Sequence, residues 1–286
     1  MQIKYFDAHC HVQFDAYGAD REELIARMKE RGVAGIVVGV DRESSAQAVE
    51  LAEKHEHLYA SVGLHPNRVG TEQYDISYYR QLAASPKVVA IGECGLDYFR
   101  PEKFDEEVKR KQRTLLKEHI ALAAELDKPL IIHSRPSKGT YDAYQELIAI
   151  LTEASATSPF SHDRTKIGIP EAGRLRGDIH FFVGGVDEMR ALVALDFTVS
   201  YTAVITFARD YDDIIRAVPP GSLLSETDAP YVSPASRPRG SRNDPLAVED
   251  VVLKLAEIRE EEPETFRQAI LANAIKTFSL SGIEVA

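Results

Sequence analysis

Short apolar runs alternate eight times with stretches of helical periodicity along this chain, and that rhythm admits few folds. The runs occupy 3–8, 35–40, 58–63, 88–92, 129–133, 178–183, 197–201 and 223–226. Between them, 21–31, 42–54, 77–84, 106–126, 141–154, 187–194 and 210–218 carry apolar residues at helical spacing with charges on the other face. Two more helical patterns, 246–259 and 263–280, follow the last run. Strand–helix units in this number predict an α/β fold, a (β/α)8 TIM barrel with helices outside a parallel sheet. The 286 residues match one such barrel, so a single domain over 1–286 is expected. Only 155–177 breaks the rhythm; its turn-forming Ser-Ala-Thr-Ser-Pro and Gly-Ile-Pro-Glu-Ala-Gly predict an inserted loop near the barrel mouth.

Composition narrows the partners. No apolar run is long enough to cross a bilayer, so no membrane is expected, and residues 1–7 enter strand-like sequence without the features of a signal peptide. The chain reads as cytoplasmic. Cys10 and Cys94 lie among polar neighbours, which favours free thiols over a structural disulfide. A net charge of −11 argues against a broad groove tracking many phosphates, so any nucleic acid must be gripped locally. Bound divalent cations would offset part of that charge at the site itself. The glycine-rich phosphate loops of doubly wound nucleotide-binding folds are missing from the sequence, which sets that alternative aside.

Barrel enzymes carry their chemistry at the C-terminal ends of strands, and metal-binding residue types collect there in this chain. The first run ends in Asp7-Ala8-His9-Cys10-His11, whose two imidazoles at i and i+2 project to one side of extended backbone. A lone His-x-His is a weak motif, with surface or core histidines as the bland reading. The fourth run closes on Glu93, the fifth on His133, the sixth carries His180, and the eighth leads into Asp228. Four imidazoles and two carboxylates at one mouth would be expensive to bury unpaired, whereas divalent cations satisfy them together. His55, His57, His119 and His162 fall in helical patterns or the inserted loop and are expected to pack or face solvent.

Several ordered motifs then resemble a known family. They are Asp-Ala-His-Cys-His at 7–11, Gly-Leu-His-Pro at 63–66, Gly-Glu-Cys-Gly-Leu-Asp-Tyr at 92–98, Ile-His-Ser-Arg at 132–135, Ile-His-Phe-Phe-Val-Gly-Gly at 179–185 and Glu-Thr-Asp-Ala-Pro-Tyr at 226–231. Together with Arg242-Asn243-Asp244-Pro245 and Asn273-Ala274, they are similar to the motifs of the TatD-type deoxyribonucleases, metal-dependent hydrolases of the amidohydrolase-like superfamily with a distorted barrel. The resemblance implies two divalent metal ions: His9, His11 and Asp228 on one, His133 and His180 on the second, and Glu93 bridging them. It makes Asp228 a candidate for guiding a water and taking its proton, with a ligand-only role as the alternative. His65 matches a family histidine that faces the substrate, through a phosphate contact or leaving-group protonation, with structural packing as the alternative.

Carboxylates can orient metal-bound imidazoles and arginines can clamp phosphates, so Asp97, Glu226, Arg135 and Arg242 join the candidates, the two arginines as substrate-binding residues. The substrate implied is a nucleic-acid end, DNA or RNA, cleaved at a phosphodiester. A small phosphoester or an amide, aminoacyl-tRNA or lactone substrate on the same scaffold is the alternative, and a non-catalytic metal-binding protein is the third reading. Arg135, Arg237, Arg239 and Arg242 gathered at the mouth would favour phosphate, and a closed apolar pocket the alternative. The chain departs from the family at Asn67, where a second histidine is common, and at Phe181 and Val183, where Cys and Ser are usual. Imidazole-rich ligand sets suit Zn²⁺, which we expect, with Mg²⁺ or Mn²⁺ as alternatives.

Overall fold

A computed structural model of the chain describes residues 2–99, 106–157 and 175–285. Eight parallel strands form one sheet in sequence order: β2 (Tyr5–Cys10), β3 (Val33–Val38), β4 (Leu58–Val62), β5 (Val88–Asp97), β6 (Leu130–Arg135), β7 (Gly177–His180), β8 (Phe197–Tyr201) and β9 (Leu223–Ser225). Helices follow them: α1 (Arg21–Arg31), α2 (Arg42–Lys54), α3 (Ile76–Leu82), α4 (Glu106–Leu126), α5 (Asp142–Thr157), α6 (Val186–Ala194), α7 (Asp212–Ala217), α8 (Val248–Arg259) and α9 (Pro263–Thr277). This is the (β/α)8 barrel that the alternation predicts. β3 is buried at every position, as a parallel strand must be when helices cover its outer face and side chains fill its inner one.

The helix ends are written in the sequence. Asp41 and Ser44 form a reciprocal capping box at the start of α2, and α1 stops at Gly32, whose φ of +71° continues the chain into β3. A short pair, β1 (Gln2–Ile3) with β10 (Glu284–Val285), lies beside the barrel. Phe6, Ile36, Val38, Ile131 and Leu224 make a second core with Leu271 and Ala274 of α9 and with Phe278 just past its end, so that helix is tied to residues of the barrel strands.

The ring closes with few bonds. Between β2 and β9 run a Cys10–Ala229 bridge, Asp228 N–H to His9 C=O at 2.9 Å and His11 N–H to Ala229 C=O at 2.8 Å. Below them the carboxyl of Asp7 accepts the Thr227 N–H at 2.9 Å and the Thr227 hydroxyl at 2.6 Å. Burial pushes the Asp7 carboxyl well above the usual carboxylate range against those bonds.

Element limits differ from expectation in instructive places. The fourth run continues past Gly92 to Asp97, because the pairing with β6 slips between Ile91 and Cys94 and the strand resumes beyond the irregularity. The sixth stops at His180 rather than 183, because Phe181 turns out of the strand at φ +49°. The loop expected at 155–177 overlaps α5 to Thr157 and β7 from Gly177; its 158–174, with His162, lie outside the described residues. Among the described residues no helix is long and apolar enough to cross a membrane.

His119 of α4 packs, as its helical position suggests, but it also makes two specific bonds. Its Nδ1–H donates to Leu115 C=O at 2.8 Å and its Nε2 accepts the Leu64 N–H at 3.0 Å. Burial pushes its pKa down to about 4. A histidine depressed in the folded state leaves stability unchanged above its unfolded pKa near 6.5 and withdraws it as pH falls toward the folded value. Between pH 7 and pH 5 this residue should cost about 2 kcal/mol. Urea unfolding at both pH values should show a smaller loss for His119→Gln, whose amide can serve both backbone groups; an equal loss would remove His119 as its source.

Candidate metal centre

The strand ends deliver the side chains to a mouth cavity of about 860 Å³, lined among others by His11, His65, Glu93, Asp97, His133, Arg135, His180 and Asp228. His9 and His11, two apart on β2 and just beyond it, bring their Nε2 atoms within 3.2 Å of one another. Glu93 Oε2 lies 3.5 Å from His9 Nε2 and 4.0 Å from His11 Nε2. Asp228 Oδ1 lies 3.9 Å and 3.5 Å from the same two nitrogens. Donors about 2.1 Å from a shared cation stand about 3.4 Å apart in a tetrahedral set, so these spacings are of the right size.

The other oxygen of Glu93 collects three more imidazoles. His133 Nδ1 is 3.1 Å from Oε1, His180 Nε2 3.2 Å and His65 Nε2 3.3 Å. Glu93 thus stands between two groups of nitrogens. His65, read from the sequence as a substrate-side residue, is near enough to Glu93 and His133 for the three to hold an ion together. Its Nδ1 accepts the Asn67 N–H at 3.1 Å. Asn67 is also tied by its side-chain amide to Asp97 Oδ2 at 2.7 Å, and Asp97 Oδ2 lies 3.4 Å from His133 Nε2.

Supporting groups fix the rings. His11 Nδ1–H donates to Val38 C=O at 2.8 Å, and its ring stacks on Phe14. That bond leaves Nε2 of His11 as an acceptor facing the cage. His180 Nδ1 meets Glu226 Oε2 at 3.2 Å, while Glu226 Oε1 accepts the Phe181 N–H at 2.5 Å. His9 and His180 stack at 3.8 Å between ring centres. Gln112 of α4 holds the backbone N–H of Asp97 at 3.0 Å.

The charges in the cage need a partner. Burial opposes ionisation of Glu93, yet the imidazoles of His65 and His180 and the bonds from His133 and His180 hold it well below the usual range. Asp228 is likewise penalised by burial and brought below its ordinary value by His11, His180 and His9. Burial pushes His9 down, with His180 adding to the shift. Burial also works against charge on His180, but Glu226 and Glu93 raise it well above its ordinary value. Two charged carboxylates are therefore buried among rings that compete for the same protons. On the far sides of their rings, His9 Nδ1 lies 3.9 Å from Glu226 Oε2 and His133 Nε2 3.4 Å from Asp97 Oδ2, so the nitrogens that face Glu93 are the ones free for a cation. A donor set of imidazoles and carboxylates with protons to spare for none of them fits divalent cations.

The arginines separate. Arg135 lines the cavity with its guanidinium 3.9 Å above the Phe99 ring, and no carboxylate among the described residues pairs with it. Arg242 is held elsewhere: it forks onto both carboxylate oxygens of Asp20, at 2.8 and 2.5 Å, donates to Ala16 C=O and lies over Tyr17. Neither Arg242, Arg237 nor Arg239 lines the cavity, so the four-arginine cluster that would have favoured phosphate does not form there; Arg135 lines it, with Arg68, which pairs with Asp41 at 2.8 Å. Arg68, Phe14 and Tyr211, which also line the cavity, lie outside every quoted motif, whereas Phe181 and Tyr231 stand within motifs whose chemistry the sequence did not assign to them. Cys10 and Cys94 are free and buried in the core, their thiols pointing to Ile36 and Ile131 carbonyls.

A cage of histidines and carboxylates at the C-terminal mouth of a parallel barrel is the hallmark of a metal-dependent hydrolase. A TatD related DNase family model matches residues 6–279, and the chain belongs to that family. It is 32% identical over 280 residues to the metal-dependent hydrolase YabD of Bacillus subtilis (strain 168), covering 96% of this chain and 99% of the relative. It is 30% identical to the 3'-5' ssDNA/RNA exonuclease TatD of Erwinia billingiae, covering 96% and 99%. The crystal structure of the TatD homologue YjjV from Escherichia coli superposes with a TM-score of 0.81 at 29% identity, covering 98% of this chain and all of that one.

Glu226 touches no cage nitrogen except through the far side of the rings, so it is a positioning residue. Glu226→Gln should weaken divalent-metal affinity 10–100-fold, read by competition with a chelating dye. Unaltered affinity would mean that Glu226 serves only the Phe181 backbone.

Proposed function

We propose that this chain hydrolyses phosphodiester bonds at nucleic-acid ends, of DNA and with the same residues RNA. One observation carries the choice of phosphate: in a chain of net charge −11, Arg135 stands at the metal cage with no carboxylate partner among the described residues. A planar guanidinium held over an aromatic ring presents a fork suited to phosphate oxygens. The name of the Erwinia relative, a 3'-5' ssDNA/RNA exonuclease, supports the same substrate.

The residues divide the work. His9, His11 and Asp228 would hold one divalent ion and His133 and His180 a second, with Glu93 offering one oxygen to each group. Zn²⁺ suits so many imidazoles, with Mn²⁺ or Mg²⁺ as substitutes. Ions held there supply Lewis acidity and lower the pKa of a coordinated water. Asp228, at the rim of the cage, takes the proton from the attacking water. His65 contacts the phosphate or protonates the leaving oxygen; it lines the cavity with its Nε2 3.3 Å from Glu93 Oε1. Arg135 orients the substrate. Arg242, paired with Asp20, braces the loop against the chain before α1. A second reading, ester or amide hydrolysis as in a deacylase or lactonase, is favoured by the apolar half of the cavity lining.

The test is to load the protein with Zn²⁺, Mn²⁺ or Mg²⁺ and follow end-labelled single-stranded DNA and RNA beside aryl esters and lactones. Release of nucleotides from DNA is expected, and it should fall at least about a thousandfold in Asp228→Asn. Asparagine keeps the left-handed backbone that Asp228 adopts at φ +51°, so the variant should fold. Ester or lactone turnover without nucleotide release would replace the phosphodiesterase reading, and an active Asp228→Asn would remove the proposed base.

A further inference from the structure

The mouth has two chemically different sides. His65, Asn67 and Arg68, the last paired with Asp41 at 2.8 Å, follow β4, Asp97 closes β5 and Arg135 ends β6, giving a polar side that carries Arg135. Phe181 and Val183 follow β7, Val204 and Tyr211 follow β8, and Val232 follows β9; no charged side chain lines the cavity between 181 and 211. In a ring of eight strands in sequence order β8 stands across from β4, so the two sides face one another over the cage. All five apolar side chains are half-buried, and Val183, Val204 and Tyr211 also pack against the core.

Phe181 is the best-defined member. It sits at φ +49°, backbone that a bulky residue rarely adopts. The carboxylate that orients His180 Nδ1 also holds its N–H: Glu226 accepts both, at 3.2 and 2.5 Å. Its ring centre lies 6.1 Å from that of His180. A benzyl group fixed in this way, beside the metal cage and open to the cavity, is placed to meet whatever is attached to the bond being cleaved.

We propose that Phe181, Val183, Val204, Tyr211 and Val232 form a subsite for the nucleobase of the terminal nucleotide, and that Phe181 determines selectivity for a base over a bare sugar phosphate. The inference rests on the phosphodiester reading and deepens it. A planar base offers an apolar face to this wall, while its phosphate lies toward Arg135; stacking of this kind accepts any base. The subsite therefore predicts a preference for nucleotides without a preference for sequence.

Binding tests it without turnover. The metal-loaded protein is titrated calorimetrically with thymidine 5'-phosphate and with 2-deoxyribose 5-phosphate, which share phosphate and sugar and differ in the base. The nucleotide should bind at least about tenfold tighter to the native protein. Phe181→Ala should lose most of that ratio through the nucleotide alone, leaving the sugar phosphate unchanged, and Phe181→Leu should fall between. The chain has no tryptophan, so Phe181→Trp places a sole indole in the wall, and thymidine 5'-phosphate should quench it where the sugar phosphate does not. Equal affinities in the native protein, no binding of either compound, or parallel losses for both in Phe181→Ala would overturn the subsite. Nucleotide release from labelled DNA judges the phosphodiester reading separately: release with a ratio near one defeats the subsite alone, and a high ratio without release defeats the reading and keeps the wall.

Discussion

Two backbone hydrogen bonds, from Asp228 N–H to His9 C=O and from His11 N–H to Ala229 C=O, join the last strand of the barrel to the first. The residues that make them are the residues whose side chains form one half of the cage. Closing the ring and bringing His9, His11 and Asp228 together are thus one event. The seam is short, one bridge and a few bonds where interior pairs of strands are laddered through several residues, and Asp7 reinforces it from below by holding both polar groups of Thr227. Buried polar groups in so short a seam are costly if unpaired, which gives every member of it a structural as well as a chemical role.

Glu93 is the second constraint. It reaches the cage because β5 slips its register before Cys94, so that its two oxygens face different groups of imidazoles. Around it the proton balance is tight: the carboxylates are held charged, His9 is held low and His180 high. Divalent cations would satisfy the carboxylates and the ring nitrogens that face them together. The acidic balance of the whole chain then acts on substrate choice. On the phosphodiester reading it disfavours long nucleic-acid contacts and leaves recognition to Arg135 and the apolar wall.

Much of this was legible in the sequence. The barrel follows from periodicity alone, and His9 with His11 from their spacing in extended backbone, because both depend on local geometry. Glu93, His133, His180 and Asp228 followed from their positions at strand ends. What escaped depended on pairs distant along the chain or on local irregularity. Arg242 looks like a phosphate clamp until Asp20, 222 residues away, is seen to occupy its fork. His65 reads as substrate-facing, yet its Nε2 stands as near Glu93 as the ligand candidates do. Val204 and Tyr211 are indistinguishable from core residues in sequence, and Phe181, visible only as a departure from the family's usual Cys, is turned into the cavity by the early end of β7 at φ +49°.

If seam and cage are one device, metal must report on the backbone that closes the barrel. Hydrogen–deuterium exchange over peptides containing His11 and Asp228, compared between Zn²⁺-loaded and chelator-treated protein, measures that link directly. Slower exchange at these two amides in the loaded protein, beyond any change at β3 and β4, is the expected result. Exchange at the seam that is indifferent to metal would contradict the coupling of barrel closure to the cage.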